Sequence, residues 1–263
     1  MAETLPDPPP LTSFDGPVTA LVNGASRGIG LALVKELADC PRVGRVFASC
    51  RAPASAEALT ALAEASDGRV VVLTMDVEDE ATVESAAERI EADGASIDLL
   101  INTFGLLHEG REIRPEKRIR DIDPARLARS FSVNAIGHAV VAKHFVDRIS
   151  TGRRTVLAQL SARVGSIADN RLGGWYGYRA SKAAQNMITR TLALELSRLR
   201  PDCVCLALHP GTTETDLSAP FTRRTDPDKL FSPQRAARQL LHVIDGARVS
   251  GSFLAWDGSE VQW

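Results

Sequence analysis

Tyr178 and Lys182 stand four residues apart in Tyr176-Gly177-Tyr178-Arg179-Ala180-Ser181-Lys182. On a helix that spacing puts both side chains on one face. A tyrosine titrates near ~10, too high for acid–base work at neutral pH. A neighbouring ammonium favours the phenolate, and a positively charged nicotinamide would add to this. The pair is a candidate general acid/base matched to carbonyl reduction. Taken alone it is a common spacing and reads equally as an ordinary amphipathic pair. A second motif gives it weight: Asn23-Gly24-Ala25-Ser26-Arg27-Gly28-Ile29-Gly30, between an apolar run and a helical pattern. Gly24 permits a tight turn, Gly28 lets backbone approach a pyrophosphate, and Gly30 lets the helix pack close to a sheet. The helix N-terminus supplies free N–H groups and partial positive charge for the anion. An acidic residue after the second strand would mark NAD. The stretch there is Phe47-Ala48-Ser49-Cys50-Arg51 instead. Arg51 and Arg27 could clamp a 2′-phosphate by charge-assisted bonds, which favours NADP(H) over NAD(H). The plain alternative is two solvated surface arginines.

These residues are set on an alternation of strand and helix. Val18 to Val22, Arg45 to Ser49, Val70 to Thr74, Leu99 to Ile101, Thr155 to Leu160, Val204 to Leu208 and Phe253 to Trp256 read as seven strands. Helices are predicted after Gly28, over Ser55 to Ala65 with Ser55 as N-cap, and over Asp79 to Ala92. Further helices are expected at Pro124 to Ile149, Tyr178 to Leu199 and Pro233 to Ile244. The last has Pro233 suited to its first turn. On Tyr178 to Leu199, residues Ile188, Leu192, Leu196 and Leu199 form one apolar stripe. Such a pattern predicts an α/β fold, a doubly wound parallel sheet of about seven strands with helices on both faces. Ligands of such sheets bind beyond the carboxyl ends of the strands. Residues 1–16, with Pro6, Pro8, Pro9 and Pro10, read as a flexible tail ahead of one domain over 17–263. Two polar stretches, 105–123 and 212–230, are expected to flank the cleft. Their Arg111, Arg114, Arg118, Arg120, Arg223 and Arg224 could favour an anionic substrate, though solvated charge is the commoner reason for such residues. Trp175 and Tyr176 are candidates for the pocket wall.

Composition sets the outer limits. The 263 residues are 44% hydrophobic and 24% charged, ordinary globular usage that excludes disorder across the whole chain. A formal charge of -2 argues against a nucleic-acid partner. No apolar run approaches the ~18 residues of a membrane helix. Met1 to Pro6 has neither a basic nor an apolar leader segment, so a soluble cytoplasmic protein is expected. Cys40, Cys50, Cys203 and Cys205 fit buried thiols in a reducing compartment, Cys203 and Cys205 sharing one face of a strand. No Cys/His spacing matches a metal site.

The glycine spacing G-x-x-x-G-x-G with Tyr-x-x-x-Lys resembles the short-chain dehydrogenase/reductase family, classical type. The likeness covers nearly the whole chain after residue 17. Asn23 stands where the family usually has Thr. The resemblance implies that Asp76, in Met75-Asp76-Val77, contacts the adenine. It implies that Asn134, in Ser132-Val133-Asn134-Ala135, holds a water linking Lys182 to solvent, and that Lys182 also holds the ribose. Pro210-Gly211-Thr212-Thr213-Glu214-Thr215 matches P-G-x-x-x-T, which implies a hold on the nicotinamide carboxamide through Pro210, Gly211, Thr213 and Thr215. Ser161 to Ile167 and Gly173 to Tyr176 are similar to the C-factor and sniffer-like carbonyl reductase branch. Two positions depart from the pattern. The family's N-N-A-G is Asn102-Thr103-Phe104-Gly105 here, so the Phe104 ring either shifts the turn or packs against the adenosine. Counting back three from Gly165, the catalytic serine position holds Ala162. The available hydroxyl is Ser161, which strand alternation aims at the other face unless a bulge or an early strand end turns it back. Ser166 is a poorer substitute. The implied activity is an NADP(H)-dependent oxidoreductase acting on a carbonyl or secondary alcohol, with Tyr178, Lys182, Asn134 and Ser161 catalytic. The alternative is a non-catalytic or weakly active NADP(H)-binding signalling protein on the same fold. A homodimer or homotetramer, paired through the two long helices, is the family expectation.

Overall fold

A computed structural model describes residues 5–110, 112–223 and 225–263. Seven parallel strands form one sheet: β1 (Val18–Asn23), β2 (Val43–Cys50), β3 (Val70–Thr74), β4 (Leu99–Asn102), β5 (Thr155–Leu160), β6 (Cys203–His209) and, after a small pair described below, β9 (Ser252–Ala255). Their order is β3-β2-β1-β4-β5-β6-β9. Alternation divides each strand between two cores. Val18, Ala20 and Val22 face one side and Leu21 the other. Likewise Leu99 and Ile101 oppose Leu100, and Val204, Leu206 and Leu208 oppose Cys203 and Cys205. The two thiols therefore share a face as expected, and all four cysteines are free and buried.

Helices α1 (Gly28–Asp39), α2 (Glu57–Glu64) and α7 (Pro233–Gly246) send Leu33, Leu37, Leu59 and Leu240 into the first core. Helices α3 (Glu80–Ala92), α5 (Gly137–Phe145) and α6 (Tyr176–Leu199) cover the second, with Val83, Ile90, Val141, Phe145 and Leu196. Burying one such side chain contributes roughly 1.5–3 kcal/mol. Asp79 caps α3, and Ser232 caps α7 with Pro233 in its first turn. Ser55 does not cap α2. It closes a 3₁₀ turn over Pro53–Ser55, and Ala56 stands at the helix start.

The helix predicted over Pro124 to Ile149 is not continuous. It runs as α4 (Pro124–Phe131), a π turn over Ser132–Ile136, α5, and a 3₁₀ turn over Val146–Arg148. On α6 the predicted apolar stripe is buried in its C-terminal half, where Leu196 is fully buried and Leu192 packs against the same core, but it ends at Leu199, which is 57% exposed. The N-terminal half faces inward through polar residues, with Ser181, Lys182, Gln185, Asn186 and Thr189 all buried. The segment expected as a tail is docked, with Pro6 O and Asp7 O meeting Arg238 and His242 of α7 and the apolar anchors beginning at Leu11. Leu11 and Phe14 are buried in the first core, and Asp245 of α7 accepts from the Thr12 and Ser13 amides. Arg154 donates to the Ser13 hydroxyl and lies over the Phe14 ring. Two apolar anchors outweigh the prolines beside them. The 212–230 segment is tied at its ends, where β7 (Thr212–Thr213) pairs in parallel with β8 (Leu230–Phe231). Arg111 and Arg224 lie outside the described residues, as do residues 1–4 of the N-terminal reading. Among the described residues no helix is long and apolar enough to cross a membrane.

Candidate active site

Strand order reverses between β1 and β4, and the crevice opens at the carboxyl ends there. It is a cleft of about 780 Å³. The glycine turn forms its floor. Gly24 takes φ +84, and a Cβ on it would come 2.9 Å from the Phe104 nitrogen. A Cβ on Gly30 would collide with the Gly24 carbonyl oxygen, so this position sets how closely α1 meets the sheet. Helix α1 starts without a side-chain cap and without an acidic residue in its first turn. Its free N–H groups therefore remain available to an anion. Thr103 Oγ1 donates to Asn23 O at 2.8 Å and Gly24 O at 3.1 Å, fixing the turn from β4.

Several residues predicted to touch cofactor line this cleft: Gly24, Ser26, Arg27, Gly28, Ile29, Gly30, Arg51, Asp76, Val77, Thr103, Phe104, Gly105, Tyr178, Lys182, Pro210 and Thr215. Others do not. Asn23 and Asn102 are fully buried: Asn23 Nδ2 donates to Asn102 Oδ1, and Asn23 Oδ1 accepts from Ser49 Oγ, both at 2.7 Å. They stitch the ends of β2, β1 and β4 behind the turn, so their work is to hold its shape. Gly211 packs beneath Phe231 and Trp256, and Thr213 is buried on β7. Neither lines the cleft. Arg114, Arg118, Arg120 and Arg223 are exposed away from it. Sequence reasoning missed Leu106, His108 and Leu217, which lie in loops without any motif, and Arg129 and Val133, which reach the wall from α4 and the π turn.

The Phe104 ring is turned back against α5, with its centroid 4.2 Å from that of His138 and its edge close to Gly137. Glycine at 137 leaves room for both Phe104 and Val77. Burial, with the Lys182 charge nearby, holds His138 well below the ordinary imidazole range, so it is neutral at physiological pH.

Asn134 sits in the π turn, fully buried, behind the cleft wall. Its Oδ1 accepts from Leu106 N at 2.6 Å, and its Nδ2 donates to Leu106 O at 2.7 Å and Ser181 Oγ at 3.0 Å. The side chain thus clamps the segment after β4 onto α6. Lys182 Nζ donates to Leu160 O and Gln185 Oε1, each at 2.8 Å, and lies 6.0 Å from the Tyr178 ring centroid. Its charge is therefore directed at the end of β5 rather than at the phenol. Burial pushes Tyr178 up to about 12 and Lys182 down to about 7. The expected lowering of the tyrosine is absent from this geometry, because desolvation dominates both groups.

Ser161 follows the last residue of β5, its amide still paired with Leu208 O. Its hydroxyl donates to Asn186 Oδ1 at 2.6 Å and is 4% exposed. No bulge turns it back, but β5 ends at Leu160 and Ser161 lies on the cleft wall, with its hydroxyl hydrogen given to Asn186 of α6. Ser166 Oγ is committed too, at 3.4 Å from Trp263 O. Above the cleft, Arg27 pairs with Asp216 at 3.2 Å, and His108 Nε2 meets Asp216 O at 3.0 Å. Phe221 rests edge-on against both His108 and Trp175. Trp175 in turn meets Tyr178 edge-on, rather than lining the cleft itself.

With this geometry described, likeness to known proteins is informative. Residues 18–226 match the family model of the short chain dehydrogenases. The C-signal protein of Myxococcus xanthus is 38% identical over 146 residues, 54% of this chain and 82% of that protein. The 1-hydroxy-2-glutathionyl-2-methyl-3-butene dehydrogenase of Rhodococcus sp. (strain AD45) is 29% identical over 93% of this chain and 99% of its own. Among solved structures, an NADPH-bound carbonyl reductase from chicken fatty liver superposes with TM-score 0.83 at 27% identity, covering 95% of this chain and all of that one. The carbonyl reductase Sniffer of D. melanogaster superposes with TM-score 0.82 at 24% identity, over 95% of this chain and all of its own, a likeness of fold. With its doubly wound sheet and its glycine turn at the switch point, this chain belongs to the short chain dehydrogenase family.

Proposed function

We propose that the protein is an NADP(H)-dependent oxidoreductase interconverting a carbonyl and a secondary alcohol. The observation that carries this reading is that Tyr178 and Lys182 line the same cleft as the uncapped start of α1, Arg27 and Arg51. The residues fit a phosphorylated dinucleotide. The glycine turn admits its pyrophosphate against free N–H groups, and the two guanidinium groups suit a 2′-phosphate. Bound NADPH supplies the hydride. Tyr178, protonated at neutral pH, delivers the proton to the oxygen as that hydride reaches the carbon. Lys182, fixed by Leu160 O and Gln185, lines the cleft one helical turn beyond the phenol, and Asn134 keeps the turn after β4 fixed against α6. In the oxidative direction the proton returns to Tyr178. The dehydrogenase and carbonyl reductase relatives support the chemistry, and the NADPH carried by the chicken enzyme supports the cofactor. A homodimer or homotetramer paired along the helices α4–α5 and α6 is part of this reading, and sedimentation of the purified protein measures it.

The test is NADPH oxidation across a panel of aldehydes and ketones. Wild type should turn over at least one of them. Tyr178→Phe should lose roughly 10²-fold or more of that rate, the usual contribution of a positioned acid, while keeping NADPH affinity. Unchanged turnover in the variant removes Tyr178 from this role.

One observation favours a second reading. The serine position is Ala162, and the adjacent Ser161 hydroxyl is committed to Asn186. A missing oxyanion donor can cost about 3 kcal/mol of transition-state stabilisation. Together with the C-signal likeness, this supports a weakly active or non-catalytic NADP(H)-binding protein. Tight NADPH binding with no turnover on the whole panel would favour it.

A further inference from the structure

Helix α6 begins without a cap of its own. Trp175, the residue before it, lies in the left-handed region at φ +52 and offers no side-chain hydrogen bond to the first turn. Gly173 and Gly174 also have positive φ, so the chain enters the helix through three left-handed residues in succession. A bulky residue held there costs of order 1–3 kcal/mol and persists only where its surroundings enforce it.

The enforcing residue is Glu116, on the 105–123 segment. Its backbone carbonyl accepts from Trp175 N. Its carboxylate Oε2 accepts from Gly177 N at 3.0 Å. Glu116 is 7% exposed, and among the described residues no Lys or Arg forms an ion pair with it. A buried carboxylate without a cation is costly unless hydrogen bonds and local dipoles compensate. Here the amino end of a 24-residue helix does so. The fit is close on the other side too: a Cβ on Gly177 would come 2.9 Å from Glu116 Oε1 and 3.2 Å from Leu127. The first turn of α6 is thus capped from a distant segment of the chain.

That turn is Tyr176, Gly177 and Tyr178. Lys182 lies one turn deeper and is fixed separately, by Leu160 O and Gln185. We propose that Glu116 is a positioning residue for Tyr178: as the remote cap of α6 it holds the acid/base phenol in register with Lys182 and couples the 105–123 segment to the reacting centre. The proposal rests on the reading of Tyr178 as the acid/base, but its structural part can be measured without turnover.

The chain has two tyrosines. In a Tyr176→Phe background, incorporated 3-fluorotyrosine reports Tyr178 alone. The ¹⁹F resonance should be single and displaced from its urea-unfolded position by the neighbouring Trp175 ring, 6.3 Å away. Glu116→Ala should broaden it and move it at least halfway to the unfolded position. Glu116→Gln, which keeps the acceptor oxygen, should hold it near wild type. In steady state, Glu116→Ala should lower kcat at least ten-fold with the NADPH Kd changed less than two-fold, and Glu116→Gln should recover to within about three-fold. These thresholds follow from the first-turn capping role. A resonance in Glu116→Ala that matches wild type overturns the proposal. So does a loss of NADPH affinity beyond five-fold, which marks general collapse rather than misplacement of one turn. If Glu116→Ala does not fold, Gly177→Ala displaces the same carboxylate while favouring helix, and an unmoved resonance there overturns the proposal equally. Should wild type show no turnover on any substrate, the oxidoreductase reading fails, yet the fluorine shifts still decide the place of Glu116.

Discussion

Lys182 is a buried cation held by two neutral acceptors, and the protein bears the cost of that burial in its stability. Its folded value of about 7 lies below the ordinary 10.5. Between those values the unfolded chain binds the extra proton and the folded chain does not, so stability rises with pH across that interval. Below about 7 both states are charged and the full burial penalty applies. Lys182→Met removes the charge at every pH. Its thermal midpoint should exceed that of wild type at pH 6, and the gap should narrow by pH 9, as read by calorimetry of the two proteins. A gap that stays constant would show that the ammonium is not desolvated. Arg51 tests the cofactor preference. Arg51→Ala should weaken NADPH about ten-fold, the order of one charge-assisted contact, and leave NADH within two-fold, both by fluorescence titration. Equal losses for the two nucleotides would place Arg51 away from the 2′-phosphate. At this scale the sequence was most legible where a residue type had one physical use. Gly24 and Gly30 are of that kind, and a Cβ at either would collide with the turn. It misled where rotation about a single bond decides. Nothing local shows that Ser161 turns to Asn186 or that Phe104 turns to His138, because both partners are remote in sequence.

Among the elements, the π turn at Ser132–Ile136 was hidden, since the hydrophobic pattern continues through it. Its consequence is the clamp: a widened turn lets Asn134 face inward and take three bonds to Leu106 and Ser181. Asn134→Ala removes the partner of both Leu106 backbone groups, which are half-buried on the cleft wall, at a cost of about 1 kcal/mol, the net value of such hydrogen bonds. Urea denaturation should show a loss of that size, and turnover should fall more than NADPH affinity does. Full activity with a loss below 0.5 kcal/mol would show that the clamp is idle. Helix α6 is legible only in its C-terminal half, where Leu192 and Leu196 of the apolar stripe pack on the second core. Its N-terminal half turns a polar side inward to carry Lys182 and the bonds around it. Amphipathicity reports a core only where the core is apolar, and in that half the helix packs inward through Gln185, Asn186 and Thr189.

At the scale of the molecule, the sheet was readable because each strand is short, apolar and bounded by turn residues. The parallel order then follows from the helices between strands. The N-terminal segment was not, since proline content says how a chain bends and not where its apolar side chains go. Leu11 is fully buried in the core shared by α1 and α7. Leu11→Ala should cost about 2–4 kcal/mol, as cavities of that size do, with NADPH affinity unchanged. A loss under 0.5 kcal/mol would return the segment to the status of a tail. The π turn has a last consequence for the whole assembly. Each residue of an α-helix advances the chain by about 100° around its axis, so one residue more or fewer in 132–136 rotates everything on one side of the turn against the other. Leu127 and Ser130 must meet Gly177 of α6, while His138, Val141 and Phe145 must meet the sheet. Both contacts are satisfied at a single phase difference. The segment can therefore accept changes of residue type but not of residue number. A one-residue deletion there should unseat α4 from α6 even with every side chain outside the turn left in place.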